Sequence, residues 1–191
     1  MSLRTSLEQI ESSLSALGRS VVRRFRPPLD VTTIEQLWHR LPFARPLELD
    51  VLYGWHDGTE TREDDVLDEL NFLPGFYFPS LEEAVRIYRE RADSEQWHDG
   101  WFPILADGAG DFYLVPCAAQ PVASVPVIGF IHGEPEQPIE YLSMTSMMET
   151  VARAYAERAY FVDADGTLEI DDAKLRAIAM QTNPGISLWE E

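Results

Sequence analysis

A single cysteine, Cys117, and a single lysine, Lys174, occur among 191 residues. One cysteine excludes an intramolecular disulfide and a cysteine metal cluster within the chain. Its setting, Leu114-Val115-Pro116-Cys117-Ala118, is apolar and predicts an inert buried thiol. No apolar run approaches the roughly 18 residues of a membrane-span candidate. Glu8, Gln9, Glu11 and several serines interrupt the N-terminal stretch, where a signal peptide needs an apolar core. The expectation is a cytoplasmic protein that does not contact membranes. His39, His56, His98 and His132 fall into no zinc-binding spacing. A Gly-x-Ser-x-Gly elbow, a phosphate-binding lysine loop and a dinucleotide fingerprint are missing as well. The sequence therefore predicts no catalytic residue, no metal and no cofactor.

Hydrophobic residues make up 45% of the chain, enough to fill the core of one elaborated domain. The charge is lopsided. Residues 1–28 hold five arginines against Glu8 and Glu11, a balance of +3 within a total of -18, so the remainder carries -21. Such a surface repels nucleic acid and anionic lipid and attracts cationic partners. The acids concentrate in residues 57–69, where Asp57, Glu60, Glu63, Asp64, Asp65, Asp68 and Glu69 face Arg62 alone, a net of -6. Self-repulsion predicts an exposed loop. As a solvated loop it needs no role; as a recognition surface it would select a cationic partner and speed its association. Asp163, Asp165, Glu169, Asp171 and Asp172 form a second acidic stretch, part of which caps a helix.

Leu3, Leu7, Ile10, Leu14, Leu17 and Val21 recur at steps of four and three, one apolar stripe on an N-terminal helix over residues 1–28 that Pro27-Pro28 stops. That stripe either docks on its own domain, the simpler reading, or pairs two copies as a coiled coil, which would make a homodimer. Thr32 or Thr33 predicts the cap of a second helix. A third helical stripe runs through Leu49, Leu52, Tyr53 and Trp55 to an end at His56-Asp57-Gly58. Residues 72–78 read as a turn and short strand, after which Ser80 caps another helix. In Trp101–Val115 two apolar strands flank Asp107-Gly108 and Gly110-Asp111, a hairpin signature. Val125 to Ile131 predicts a buried strand, and Ser143 or Thr145 the start of a helix. The remainder reads as a short strand at 160–162, an Asp165-Gly166 turn and a helix near 171–181. Irregular alternation with hairpin signals predicts an α+β single domain, mostly an antiparallel sheet flanked by helices.

Other constellations lead nowhere catalytic. Trp97 and Trp101 flank His98-Asp99, but no sequence spacing shows two carboxylates facing across a substrate. Asp163-Ala164-Asp165-Gly166 places its glycine fourth rather than sixth, and Lys174 stands where an EF-hand needs glutamate. Asp57 adjoins His56, and consecutive residues at a helix end rarely face each other.

Leu41-Pro42, Trp55-His56-Asp57-Gly58, Phe76 to Ala84, the Trp101-Phe102-Pro103 block with its hairpin, and Val127-Ile128-Gly129-Phe130 follow one another along the chain. This order of blocks resembles the SUKH superfamily, which contains the yeast cell-wall-assembly regulator and bacterial toxin-immunity proteins. The likeness covers most of residues 33–189, dividing the chain into an N-terminal helix (1–28) and a SUKH-like domain (29–191). It implies an α+β fold, no catalytic residues and a protein-binding role. The first expectation is an immunity protein that neutralises a basic, nuclease-type toxin domain. A regulatory scaffold of the cell-wall type is the alternative, and a small hydrolase the third. The blocks themselves are structural, so no contact residue is carried over by them.

Overall fold

The N-terminal helix is shorter than its stripe. In a computed structural model, which describes residues 1–62 and 64–190, α1 spans Leu3–Ala16 with Ser2 accepting from the Thr5 N–H at its start. Gly18 adopts φ +73°, a conformation that side-chain-bearing residues avoid. Its N–H donates to Ser15 and that of Arg19 to Leu14, the double closure that ends a helix at a left-handed glycine. The predicted end at Pro27-Pro28 is thus corrected. A five-residue 3-10 turn, Ser20–Arg24, returns Val21 to the core, while Leu17 stays 40% exposed. Leu3, Leu7, Ile10 and Leu14 are buried in the main core, against two helices described next.

Those helices are α3 (Leu47–Tyr53) and α6 (Met144–Ala156). Five of the six stripe residues, all but Leu17, are thus packed within the chain. Between α1 and α3, α2 (Val31–Trp38) is capped by Asp30, whose Oδ1 accepts from the Thr33 N–H at 2.8 Å, so neither Thr32 nor Thr33 is the cap. Helix α3 closes at Gly54, short of His56. A single turn, α4 (Leu67–Leu70), interrupts what reads as loop, and α5 (Leu81–Arg91) starts at Ser80 as the sequence predicts. Residues 72–78 make no strand; Tyr77 forms only a bridge to Ala106.

The central sheet has four antiparallel strands in the order β1 (Trp101–Ala106), β2 (Phe112–Pro116), β3 (Val127–Phe130) and β4 (Ile139–Tyr141). Phe102 pairs with Val115 and Ala106 with Phe112, so the hairpin turn falls where its glycines predict. Asp107 Oδ1 accepts from the N–H groups of Ala109, Gly110 and Asp111, each at 2.8 Å. Aromatic rings fill both sides of the sheet: Trp97 meets Phe112 and Phe130, whereas Tyr113 meets Phe76 and Tyr141. Ser143 and Ser146 form a reciprocal cap on α6, whose Met144, Met147, Met148 and Val151 are fully buried. A two-stranded hairpin, β5 (Tyr160–Val162) and β6 (Leu168–Ile170), precedes α7 (Asp172–Thr182) and the short α8 (Ser187–Glu190). This is a mixed α+β domain. No described helix is long and apolar enough to cross a membrane.

Candidate partner-binding surface

The acidic stretch 57–69 is less free than its charge predicts. Asp57 Oδ1 accepts from the Leu81 N–H at 2.9 Å, holding the first turn of α5. Burial pushes its carboxyl up, against the Leu81 N–H and the positive charge of Arg26. Arg24 closes a two-point pair on Asp65, with Nη2–Oδ2 at 2.6 Å and Nη1–Oδ1 at 3.2 Å. The same guanidinium donates twice to the Glu60 carbonyl, and the Glu60 carboxylate lies 3.3 Å from Arg62. Asp68 is held by Arg19, at 2.8 Å through its carboxylate and again through its carbonyl oxygen. Asp57, Asp65 and Asp68 therefore serve the fold, which corrects the expectation of a wholly exposed loop. Asp64 and Glu69 are exposed, and Glu63 lies outside the described residues.

Arg19 does more than hold Asp68. Its side chain, only 5% exposed, also donates to the Gly166 carbonyl at 2.9 Å, and the Leu168 N–H donates to Asp68 Oδ1 at 3.3 Å. The β5–β6 hairpin is thereby fixed beside α4, and the two acidic stretches, roughly a hundred positions apart in sequence, become neighbours. Asp64, Glu69, Asp163, Asp165 and Glu169 make no ion pair with any described residue. Asp163 instead accepts from the Asp165 and Thr167 N–H groups within its own turn. Between the stretches lies a hollow of about 400 Å³ that Glu69 shares with Arg23, Leu17 and Val162.

No protein-family model matches the chain, and no curated protein matches it.

The constellations weighed for catalysis take structural positions. His56 Nδ1 meets the Arg26 carbonyl at 2.9 Å and its Nε2 lies 3.5 Å from Glu11, while Asp57 points to α5, so the two do not form an acid–base pair. His98 packs edge-on against Trp101 in a shallow hollow of about 270 Å³. Cys117 is pushed far up by burial, which keeps the thiol protonated. Among the described residues no group of three or more His, Cys, Asp or Glu side chains could hold a metal ion.

One titratable residue escaped sequence reasoning. Glu140 is the extra residue of a bulge on β4, since Val127 pairs with Tyr141 and Ile128 with Ile139. Its carboxylate folds over Gly129, where a methyl group would collide with it. Burial raises this carboxyl to about 7, with the Tyr113 hydroxyl acting in the opposite direction, and Tyr160 and Tyr141 stand close enough to feel its charge. Nothing in the local sequence, Pro138-Ile139-Glu140-Tyr141, marks it out. A single raised carboxyl without a facing partner does not make an acid–base pair.

Proposed function

We propose that this protein is a cytoplasmic, non-enzymatic binding module of the SUKH type that neutralises a cationic toxin domain by direct association. The observation that supports it most is the convergence of two acidic stretches across Arg19, with Asp64, Glu69, Asp163, Asp165 and Glu169 left without ion pairs among the described residues. A surface of that charge accelerates the encounter with a basic partner and fixes its orientation. A nuclease, whose own site must attract phosphates, presents such a basic surface. The bound acidic protein would occupy the region that nucleic acid needs.

The proposal expects a toxin gene next to this one; co-expression with that toxin is the test, followed by binding kinetics at two salt concentrations. Wild-type protein is expected to restore growth and to bind. Asp64→Lys/Glu69→Lys/Asp165→Lys is expected to associate more slowly, with the deficit shrinking at high salt because exposed charges are screened beyond about 8 Å at physiological ionic strength. Wild-type protein that neither restores growth nor binds overturns the proposal. Binding without growth rescue would favour the regulatory scaffold instead.

A further inference from the structure

A cleft of about 700 Å³ is lined by four of the chain's fourteen arginines: Arg26, Arg40, Arg86 and Arg89. Acids outnumber bases 33 to 15 overall, so a cluster of arginines at one concavity runs against the average of this surface. Among the described residues, none of the guanidinium groups of Arg26, Arg40 and Arg89 lies within 3.5 Å of a carboxylate. The Arg26 side chain is exposed and makes no hydrogen bond or ion pair with any described residue. Arg40 comes no nearer than 3.9 Å to an acid, the 77% exposed Glu82. Arg89 donates at 3.0 Å to the Arg40 carbonyl and meets no carboxylate. Three glutamates of α5 line the same cleft: Glu83 accepts from the Tyr77 hydroxyl at 2.8 Å, Glu90 takes both its bonds from Arg86 at 3.0 Å, and Glu82 is the exposed acid near Arg40.

We propose that this cleft is a docking site for an acidic segment of a protein partner. Guanidinium groups pair with carboxylates through two parallel N–H bonds, so Arg26, Arg40 and Arg89, none of which makes such a two-point pair with a described carboxylate, can each receive one acidic side chain. The three stand on separate parts of the chain: Arg26 after the 3-10 turn, Arg40 after α2 and Arg89 on α5. Spaced carboxylates along an extended chain match that distribution. A long nucleic acid does not, because the chain's net charge of -18 repels a polyanion that extends beyond the cleft. The cleft takes a partner of opposite sign to the acidic surface, and it stands or falls independently of the toxin reading.

A fluorescein-labelled hexaglutamate peptide, followed by anisotropy with the full-length protein at about 0.15 M salt, is the test; there the long-range repulsion is screened within about 8 Å while direct contacts survive. Wild-type protein is expected to bind it. Arg26→Gln/Arg89→Gln is expected to weaken binding by about tenfold, in line with the loss of charge-assisted hydrogen bonds. Arg158→Gln/Arg176→Gln, which removes the same charge outside the cleft, is expected to leave binding unchanged. Thermal melting of both variants confirms that they fold. The proposal is overturned by a wild-type protein that does not bind the peptide, or by equal losses in the two variants. It is also overturned if a single-stranded oligothymidylate or pyrophosphate displaces the peptide more effectively than unlabelled hexaglutamate does.

Discussion

Replacing Glu140 with glutamine is expected to stabilise the protein at neutral and alkaline pH. The carboxyl titrates near 4.5 when solvated and at about 7 in the fold, because burial beside Tyr113, Tyr141 and Tyr160 disfavours its charged form. The folded state therefore binds this proton more tightly than the unfolded chain does, and the associated stability is complete below pH 4.5 and lost as pH rises towards and through 7. Each pH unit in that window is worth about 1.4 kcal/mol, so the full penalty is about 3.5 kcal/mol. Residual solvent contact of the side chain trims it towards about 2 kcal/mol. Glutamine keeps the shape over Gly129 and cannot ionise. Urea denaturation of both proteins at pH 4.5 and pH 8 should give nearly equal stabilities at the acid end and a difference of about 2–3 kcal/mol in favour of Glu140→Gln at the other. For a chain of this size that is a rise in Tm of about 4–12 °C. Other groups titrate identically in both proteins, so the difference isolates this carboxyl. A variant no more stable than wild type at pH 8, or a gap that fails to widen with pH, refutes the reasoning.

The acids of residues 57–69 should separate into two groups under substitution. Asp68→Ala leaves the buried Arg19 guanidinium uncompensated and should cost about 3 kcal/mol, while Asp64→Ala should stay within about 0.5 kcal/mol, both read from urea denaturation. Gly129→Ala drives a methyl into the Glu140 carboxylate and should lose about 1–3 kcal/mol; adding Glu140→Ala should restore part of it in a double-mutant cycle, and strictly additive losses would refute the contact.

Elements whose signals are local were legible. Ser80 caps the helix it was expected to cap, Ser143 is the one of two candidates that caps α6, and Asp107 with its glycines closes the hairpin, because each needs only residues within four positions. The α1 terminus was misread although its signal was present: the heptad spacing continues through Leu17 and Val21, but Gly18 breaks the helix and the 3-10 turn restores the register of Val21. Strand β4 is three residues long, follows Pro138 and exists only through its pairing with β3, so no propensity of its own announces it. The charge of the acidic stretch was legible, its partners were not. Arg19 meets Asp68 and Arg24 meets Asp65 across 49 and 41 positions, and chain topology alone decides which acids are neutralised. Glu140 is the extreme case, a carboxyl whose chemistry is set by a glycine on the neighbouring strand.

The position of Arg19 also sets when the acidic surface comes into being during synthesis. Its guanidinium reaches forward to Asp68 and then to Gly166, 147 positions downstream. A nascent chain still holding the β5–β6 hairpin inside the ribosome already contains every acidic residue of the first stretch, yet nothing sets the second stretch beside them. Contacts of such sequence separation close late, after the entropy of a long loop has been overcome. The paired surface is thus a property of the finished molecule, and a partner that needs both stretches meets it only after translation has passed the hairpin.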